Sequence, residues 1–226
     1  MYETWTRASK SRTLDAMGNI DLSRAALVIS ECQRAFVDPS SAFLGGLVDE
    51  VERREILPRI RDLASSFRAA GKPVIHCTIT HRPGTEGTAR TSPITRRAMR
   101  FGVAVEGDPS AEIVPILAPE PGDIISNRAS GATIFFNTDL DSVLRVAGID
   151  TIVLVGVSTN LALFAGSVEA TNRNYRVIIP EECTAGGSPE THEMAMQHFL
   201  PLLATITTAE VVGQALRNGA DSEETT

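Results

Sequence analysis

The sequence predicts an α/β protein with a three-layer α/β/α architecture and a mostly parallel central sheet. Short, continuous apolar runs recur along the chain, and amphipathic stretches of helical length separate them. An apolar run without polar alternation is typical of a parallel strand that is covered on both faces. Strands that alternate with helices form βαβ units, whose strands lie parallel in one sheet.

The apolar runs predict strands at residues 25–30, 73–79, 123–127, 151–157 and 176–180, with a last strand and turn in ATITTAEVV. The stretches between them predict helices at residues 48–71, 139–149, 160–174 and 188–204. In the first helix Val51, Ile56 and Ile60 recur at helical spacing, and Gly71 supplies a stop. Ser188 is the expected N-cap of the last helix.

Length and composition indicate one domain. No linker or internal repeat divides the 226 residues, so we expect one folded domain at 21–215. An N-terminal arm is expected at 1–20, and a disordered acidic tail at 216–226.

Charge and motifs limit the partners. The net charge of −7, with Lys and Arg unclustered, argues against nucleic-acid binding. No run approaches the roughly 18 apolar residues of a membrane span, and no signal-peptide core is present. The three cysteines lie far apart, which predicts neither a disulfide framework nor a zinc site. We therefore expect a cytoplasmic protein without membrane partner, metal or cofactor.

The carboxyl ends of the strands are the expected site, because ligands bind there in parallel sheets. This rule selects the segments Ser30–Gln33, Thr78–Arg82, Ser126–Arg128, Gly156–Ala162 and Glu181–Thr184. A partly desolvated carboxylate at Glu31 suits general acid or base chemistry, and the alternatives are a helix cap or an arginine pair. Arg128 is expected to pair with Glu31, to bind a substrate carboxylate, or to lie exposed in a loop.

Other reactive side chains carry weaker expectations. His81 and Arg82 lie in a loop of turn-forming residues after a strand and are candidates for substrate contact. The cysteines adjoin apolar strand residues, where free Cys usually behaves as a small hydrophobe. His192 and His198 fall on the predicted late helix, where structural or solvated roles are expected.

Three motifs together resemble the isochorismatase-like (cysteine hydrolase) superfamily. They are AALVISECQRAFVDP, FFNTDLDSVLRVAGIDTIVLVGVSTNLAL and YRVIIPEECTAG, which occur in order within residues 22–212. The resemblance implies a Rossmann-like parallel sheet flanked by helices, and a homo-oligomer, either a dimer or a tetramer. Many members hydrolyse amides or related C–N bonds with an Asp–Lys–Cys triad, in which the thiolate attacks the carbonyl.

The resemblance implies that all three triad positions differ in this chain. The Asp position falls on Glu31, the Lys position on Arg128 or the adjacent Asn127, and the Cys position on Ala162. Glutamate keeps the carboxylate, but a guanidinium can hardly lose a proton. Alanine removes the nucleophile, so thiol-dependent amide hydrolysis is not expected. Isochorismatases of the superfamily are the better precedent, because a carboxylic acid can protonate a vinyl ether without a thiol.

The resemblance also implies the shape of the pocket. It places a cis peptide between Val157 and Ser158, and it directs backbone N–H groups near Asn160–Ala162 toward a substrate oxygen. The expected substrate-binding residues are Gln33, Phe36, His81, Arg82, Ser158, Thr159 and Asn160. For Ser158 and Thr159, maintaining the corner is the alternative role.

Three functions follow as hypotheses. The first is a hydrolase that acts on a small, carboxylated molecule without a thiol, with Glu31 as general acid/base. The second is a binding or regulatory pseudoenzyme that keeps the pocket without turnover. The third is an amidohydrolase with a displaced nucleophile, either Cys183 or Cys77. In each case the expected partner is a small molecule.

Overall fold

A parallel sheet forms the centre of the computed structural model, which describes residues 20–41 and 43–223. Within these residues the strands are β1 (Ala25–Ser30), β2 (Val74–Ile79), β3 (Ile124–Arg128), β4 (Thr151–Val157), β5 (Arg176–Pro180), β6 (Thr184–Ala185) and β7 (Thr205–Thr207). Their order is β3-β2-β1-β4-β5-β7, and β6 pairs with the end of β4. All of these pairs are parallel, which confirms the predicted sheet.

Helices cover both faces of the sheet. In the described part of the chain they are α1 (Arg34–Val37), α2 (Gly45–Arg54), α3 (Ile56–Ala69), α4 (Pro93–Phe101), α5 (Leu140–Val146), α6 (Phe164–Asn172), α7 (Pro189–Met194) and α8 (Ala209–Glu223). Short π- and 3-10-helical turns connect several of them. None of these helices is long and apolar enough to cross a membrane.

The core lies on both sides of the sheet. In β1, Leu27 and Ile29 pack with apolar side chains of α2, α3 and α8, while Val28 packs with those of α5 and α6. Every residue of β1 and β4 is buried, as expected of central parallel strands. The three-layer α/β/α prediction is therefore confirmed.

The helix predicted over residues 48–71 is two helices. Glu55, with a φ of 51°, separates α2 from α3. Pro58 lies in the first turn of α3, where its missing N–H is tolerated. In a continuous helix the backbone nitrogen of Pro58 would have to donate a hydrogen bond to the Arg54 carbonyl. Proline has no N–H, and its ring would clash with that carbonyl.

The carboxyl-terminal region also differs from the prediction. Residues 216–223 belong to α8, so the expectation of a disordered tail is wrong for them. Val212 and Leu216, four residues apart, are buried against the core and hold α8 on the sheet. Residues 1–19, which are most of the expected N-terminal arm, and residues 224–226 lie outside the described residues, whereas Ile20 is buried.

The predicted N-cap of the last helix is confirmed, since the Ser188 hydroxyl accepts a hydrogen bond from the Thr191 N–H.

Candidate active site

Glu31 lies at the carboxyl end of β1, where the chain leaves the sheet. Its φ of 55° is uncommon for a residue other than glycine and turns the backbone away from the strand direction. Its N–H still donates to the Cys77 carbonyl of the neighbouring strand, at 2.9 Å. The side chain is 16% exposed, so the carboxylate is accessible but largely desolvated.

Arg128 ends β3 and forms an ion pair with Glu31. Its Nη2 donates to Glu31 Oε1, and its Nε donates to the Gly131 carbonyl at 3.4 Å. The side chain is only 1% exposed, and Nη1 has no hydrogen-bond partner among the described residues. Of the alternatives for Arg128, the structure shows the pairing with Glu31.

Asn127 faces away from Glu31. Successive side chains of a strand point to opposite faces, so Asn127 and Arg128 lie on different sides of the sheet. The exposed Asn127 accepts a hydrogen bond from Thr78 Oγ1, at 2.9 Å. Arg128 is therefore the residue beside Glu31.

The corner after β4 adjoins the same strand end. The peptide bond between Val157 and Ser158 is cis, as expected, and a π-helical turn, Thr159–Leu163, leads into α6. Gly156 pairs with Ser30 and has a φ of 101°. A Cβ at Gly156 would lie 2.3 Å from the Ser30 carbonyl oxygen, so only glycine allows this approach of β4 to β1.

A cavity of about 630 Å³ lies against these strand ends. Its volume falls within the range of small-molecule sites. The residues that carry acidic, basic, hydroxyl or amide groups in its lining are Glu31, His81, Thr91, Ser92, Thr95, Arg97, Arg128, Ser158 and Asn160. The larger apolar lining residues are Phe36, Phe43, Leu44, Leu47, Ile79, Ile94 and Leu161.

Seven of the predicted site residues line this cavity: Glu31, Phe36, His81, Arg128, Ser158, Asn160 and Ala162. The other three, Gln33, Arg82 and Thr159, do not. Ala162 contributes a methyl group and is 2% exposed. The structure therefore joins the predicted carboxylate, cation and alanine in one wall.

Gln33 is a structural brace and not a cavity residue. Its Nε2 donates to the carbonyls of Ile79, at 2.9 Å, and Ala111, at 2.7 Å. Its Oε1 accepts from the Ile79 N–H at 2.8 Å. These three bonds occupy the buried amide and connect β1 to β2, which corrects the expectation that Gln33 lines the pocket.

Thr159 and Arg82 also lie elsewhere. Thr159 is buried behind the corner, with Oγ1 3.2 Å from Nδ1 of His192, so it maintains the corner. Arg82 is exposed, donates to the Glu86 carbonyl, and lines a separate cavity. His192 is buried and structural, whereas His198 is exposed, so each takes one of the two expected roles.

His81 presents a defined tautomer. Its Nδ1 lies 3.0 Å from the Ala129 carbonyl oxygen. Because a carbonyl only accepts, the proton of the neutral ring lies on Nδ1 and the Nε2 lone pair is an acceptor. His81 is 3% exposed and adds a potential proton acceptor to the cavity wall.

α4 and the cavity residues on it were not predicted from the sequence. Thr91, Ser92, Thr95 and Arg97 all line the cavity, and they precede or belong to α4. The available signal was Ser92–Pro93, because serine is a preferred N-cap and proline is favoured in the first helical turn. The Ser92 hydroxyl indeed accepts from the Thr95 N–H.

The three cysteines lie outside the cavity lining. Cys32, Cys77 and Cys183 are all buried. Desolvation raises the pKa of the Cys77 and Cys183 thiols to about 12, and it raises the pKa of Cys32 as well. The thiolate is the nucleophilic form, so burial disfavours each cysteine as a nucleophile. Over the described ranges, no three His, Cys, Asp or Glu side chains form a group that could hold a metal ion.

Comparison with known proteins places this fold and site in a family. The model of the isochorismatase domain matches residues 25–211, which is most of the chain. The chain belongs to the isochorismatase family. It is 30% identical over 199 residues to a probable isochorismatase of Pseudomonas chlororaphis. The aligned region covers 87% of this chain and 89% of that protein.

An amidohydrolase and a solved cysteine hydrolase are also similar to this chain. The chain is 26% identical over 196 residues to maleamate amidohydrolase of Pseudomonas putida, covering 86% of this chain and 88% of that protein. A solved cysteine hydrolase from Pseudomonas syringae pv. phaseolicola has a TM-score of 0.78 at 24% identity, over 88% of this chain and 95% of its own. That likeness shows the shared fold.

Proposed function

We propose that this isochorismatase-family protein hydrolyses a small, carboxylated molecule without a thiol nucleophile, with Glu31 as general acid/base. The observation that carries the proposal is the Glu31–Arg128 ion pair in the wall of a cavity that Ala162 also lines. A carboxylate held in fixed orientation beside a substrate-sized space has the position that proton transfer requires.

Water is the nucleophile in this proposal. The methyl group of Ala162 cannot attack an electrophile, and the cysteines are buried outside the cavity lining. Arg128 cannot exchange a proton at ordinary pH, so it orients Glu31 and balances its charge. Glu31 is the one carboxylate in the described lining.

A vinyl ether is the substrate type that needs no covalent intermediate. For this step Glu31 first takes up a proton from solvent, and it then donates that proton to the enol-ether carbon, which leaves an oxocarbenium ion. Water adds to that ion and returns a proton to the Glu31 carboxylate. The hemiketal then collapses: its C–O bond to the leaving group breaks, and the hydroxyl proton moves to the leaving oxygen. The products are a ketone and an alcohol.

The comparisons support a hydrolase of the isochorismatase family and do not distinguish a non-thiol enzyme from a thiol amidase. The similar proteins include both a probable isochorismatase and an amidohydrolase. The alanine at position 162 and the buried cysteines favour the first precedent. If the protein binds the ligands but does not turn them over, the pseudoenzyme hypothesis is favoured.

The test measures turnover of carboxylated vinyl ethers and carboxylated primary amides by the purified protein. We expect vinyl-ether hydrolysis that thiol alkylation leaves unchanged and that Glu31→Gln lowers by at least about 100-fold. Glu31→Asp keeps the acid and retains part of the rate. Glu52→Gln, on an exposed position of α2, is the control with the same loss of charge.

Two outcomes would contradict the proposal. One is full turnover by a folded Glu31→Gln protein, which would remove the role of Glu31. The other is the absence of turnover over the whole panel while the ligands bind, which would indicate a pseudoenzyme. Circular dichroism of each variant separates loss of chemistry from loss of fold.

A further inference from the structure

We infer that Arg97, on α4, determines substrate selectivity by pairing with the substrate's carboxylate. This inference rests on the proposed function, since it assumes that the substrate occupies the cavity. Arg97 lines that cavity together with Glu31 and Arg128. The two arginines of the lining differ in how free each is to receive an anion.

The charges of the lining leave one cation unbalanced. Its ionised carboxylate and guanidinium groups belong to Glu31, Arg97 and Arg128. Glu31 and Arg128 neutralise each other in an ion pair. Arg97 has no carboxylate within ion-pair distance in the part of the chain that the structure describes. A ligand with one carboxylate therefore completes the charge balance of the cavity.

Arg128 is unsuited to the role that Arg97 can fill. Its side chain is 1% exposed, and its Nη2 already bonds to Glu31. Within the described ranges its Nη1 has no hydrogen-bond partner, but that atom is buried, so it is less accessible to a ligand than the exposed Arg97. Arg97 is exposed, so its guanidinium is accessible without breaking an existing pair.

Arg97 is also held in place on its helix. Its guanidinium carbon lies 5.3 Å from the centroid of the Phe101 ring, four residues further along α4. Cation–π contact at this distance favours one orientation of a flexible side chain. A guanidinium with restricted freedom loses less entropy when it binds a carboxylate through two parallel hydrogen bonds.

Hydroxyl groups lie in the same part of the lining. Thr91 is exposed, and Ser92 and Thr95 are partly exposed. The Ser92 and Thr95 hydroxyls are 2.7 Å apart and bond to each other. Thr91, and whichever of Ser92 and Thr95 is not the donor in that bond, offer hydroxyl donors to an anionic ligand, whereas the larger apolar side chains of the lining suit the body of a small organic acid.

The test is an equilibrium binding measurement with benzoate and benzamide, which have nearly the same shape and differ in charge. We expect the wild-type protein to prefer benzoate, and Arg97→Gln to weaken benzoate binding by about tenfold while benzamide changes less than about twofold. Arg97→Lys should retain part of the preference, since lysine keeps the charge without the planar fork.

Arg100→Gln is the matched control. Arg100 is an exposed residue of the same helix, but it does not line the cavity. Its substitution should leave both affinities unchanged. The inference is wrong if wild type shows no preference for benzoate, if Arg97→Gln keeps it, or if Arg100→Gln weakens benzoate equally. Binding requires no turnover, so a catalytic failure of Glu31 and a failure of Arg97 are separate results.

Discussion

Arg128 and Glu31 form an ion pair in which the cation is 1% exposed and the carboxylate 16% exposed. The guanidinium is thus enclosed by protein, and the carboxylate has an accessible edge at the cavity. Such a pair is costly to break on one side, because the remaining charge stays desolvated. This asymmetry gives the first prediction.

Removing both partners of the pair should destabilise the protein by less than the sum of the two single removals. We expect Glu31→Gln and Arg128→Met each to lower the free energy of unfolding by about 3 kcal/mol. The double variant should lose clearly less than the sum of the two, because no unpaired charge remains. Urea denaturation of the four proteins measures this cycle, and strict additivity would show that the two groups do not interact.

The native cysteines should be unreactive. We expect Cys32, Cys77 and Cys183 to resist a thiol reagent such as Ellman's reagent at pH 8, because they are buried outside the cavity lining and burial raises each thiol pKa. Ala162→Cys should add one thiol that reacts under native conditions, since position 162 lines the cavity.

Unfolding in urea supplies the control for the thiol measurement. All three native cysteines should then react, and Ala162→Cys should show four reactive thiols. Rapid labelling of the native wild-type protein would contradict the burial described here.

Gly156 should tolerate no side chain. In Gly156→Ala the new Cβ would meet the Ser30 carbonyl oxygen at 2.3 Å, and the φ of 101° is also unfavourable. We expect a loss of at least about 3 kcal/mol in unfolding free energy.

Gly148→Ala is the matched control: its φ of 68° is also positive, but open space surrounds the new Cβ. It should lose only about 1 kcal/mol, because backbone strain is its one cost. Equal losses would show that the contact with Ser30 is unimportant.

His192 should make stability fall in mild acid. Burial, followed by the nearby charge of Arg54, lowers the pKa of His192 below its usual 6.5. The unfolded chain therefore binds a proton at a higher pH than the folded chain does. The contribution of His192 to stability is fully present above about pH 7.5 and decreases as pH falls through 6.5.

The urea midpoints of wild type and His192→Gln at pH 7.5 and 5.5 measure this effect. Wild type should lose more stability between the two values than His192→Gln does. His198→Gln is the control, because His198 is exposed. A pH dependence that is the same in all three proteins would exclude His192 as its source.

The central strands could be predicted from sequence because burial on both faces leaves a simple signal. The predicted bounds of β1 and β4 agree with the structure, and every residue of both strands is buried. The placement of Glu31 and Arg128 at one site follows from the same rule, since parallel strands end at one edge. Local sequence and sheet topology were therefore sufficient to predict the central strands and the meeting of these two residues.

The role of Gln33 could not be predicted in that way. Its amide bonds to backbone atoms 46 and 78 residues away along the chain, and no local pattern reports such contacts. The same limit applies to Thr159, whose partner His192 is 33 residues distant. α4 was missed for another reason: it has only nine residues and buries only Ala98, although Ile94, Ala98 and Phe101 recur at helical spacing and Ser92–Pro93 marks its start.

The position of α4 in the chain has an evolutionary consequence. Glu31 and Ala162 adjoin the central strands β1 and β4, whereas α4 belongs to the connection between β2 and β3. Connections tolerate substitution and insertion better than buried strands do. Descendants of this chain can therefore change the lining of the cavity by altering one crossover segment, while the inherited sheet keeps the Glu31 carboxylate where it is.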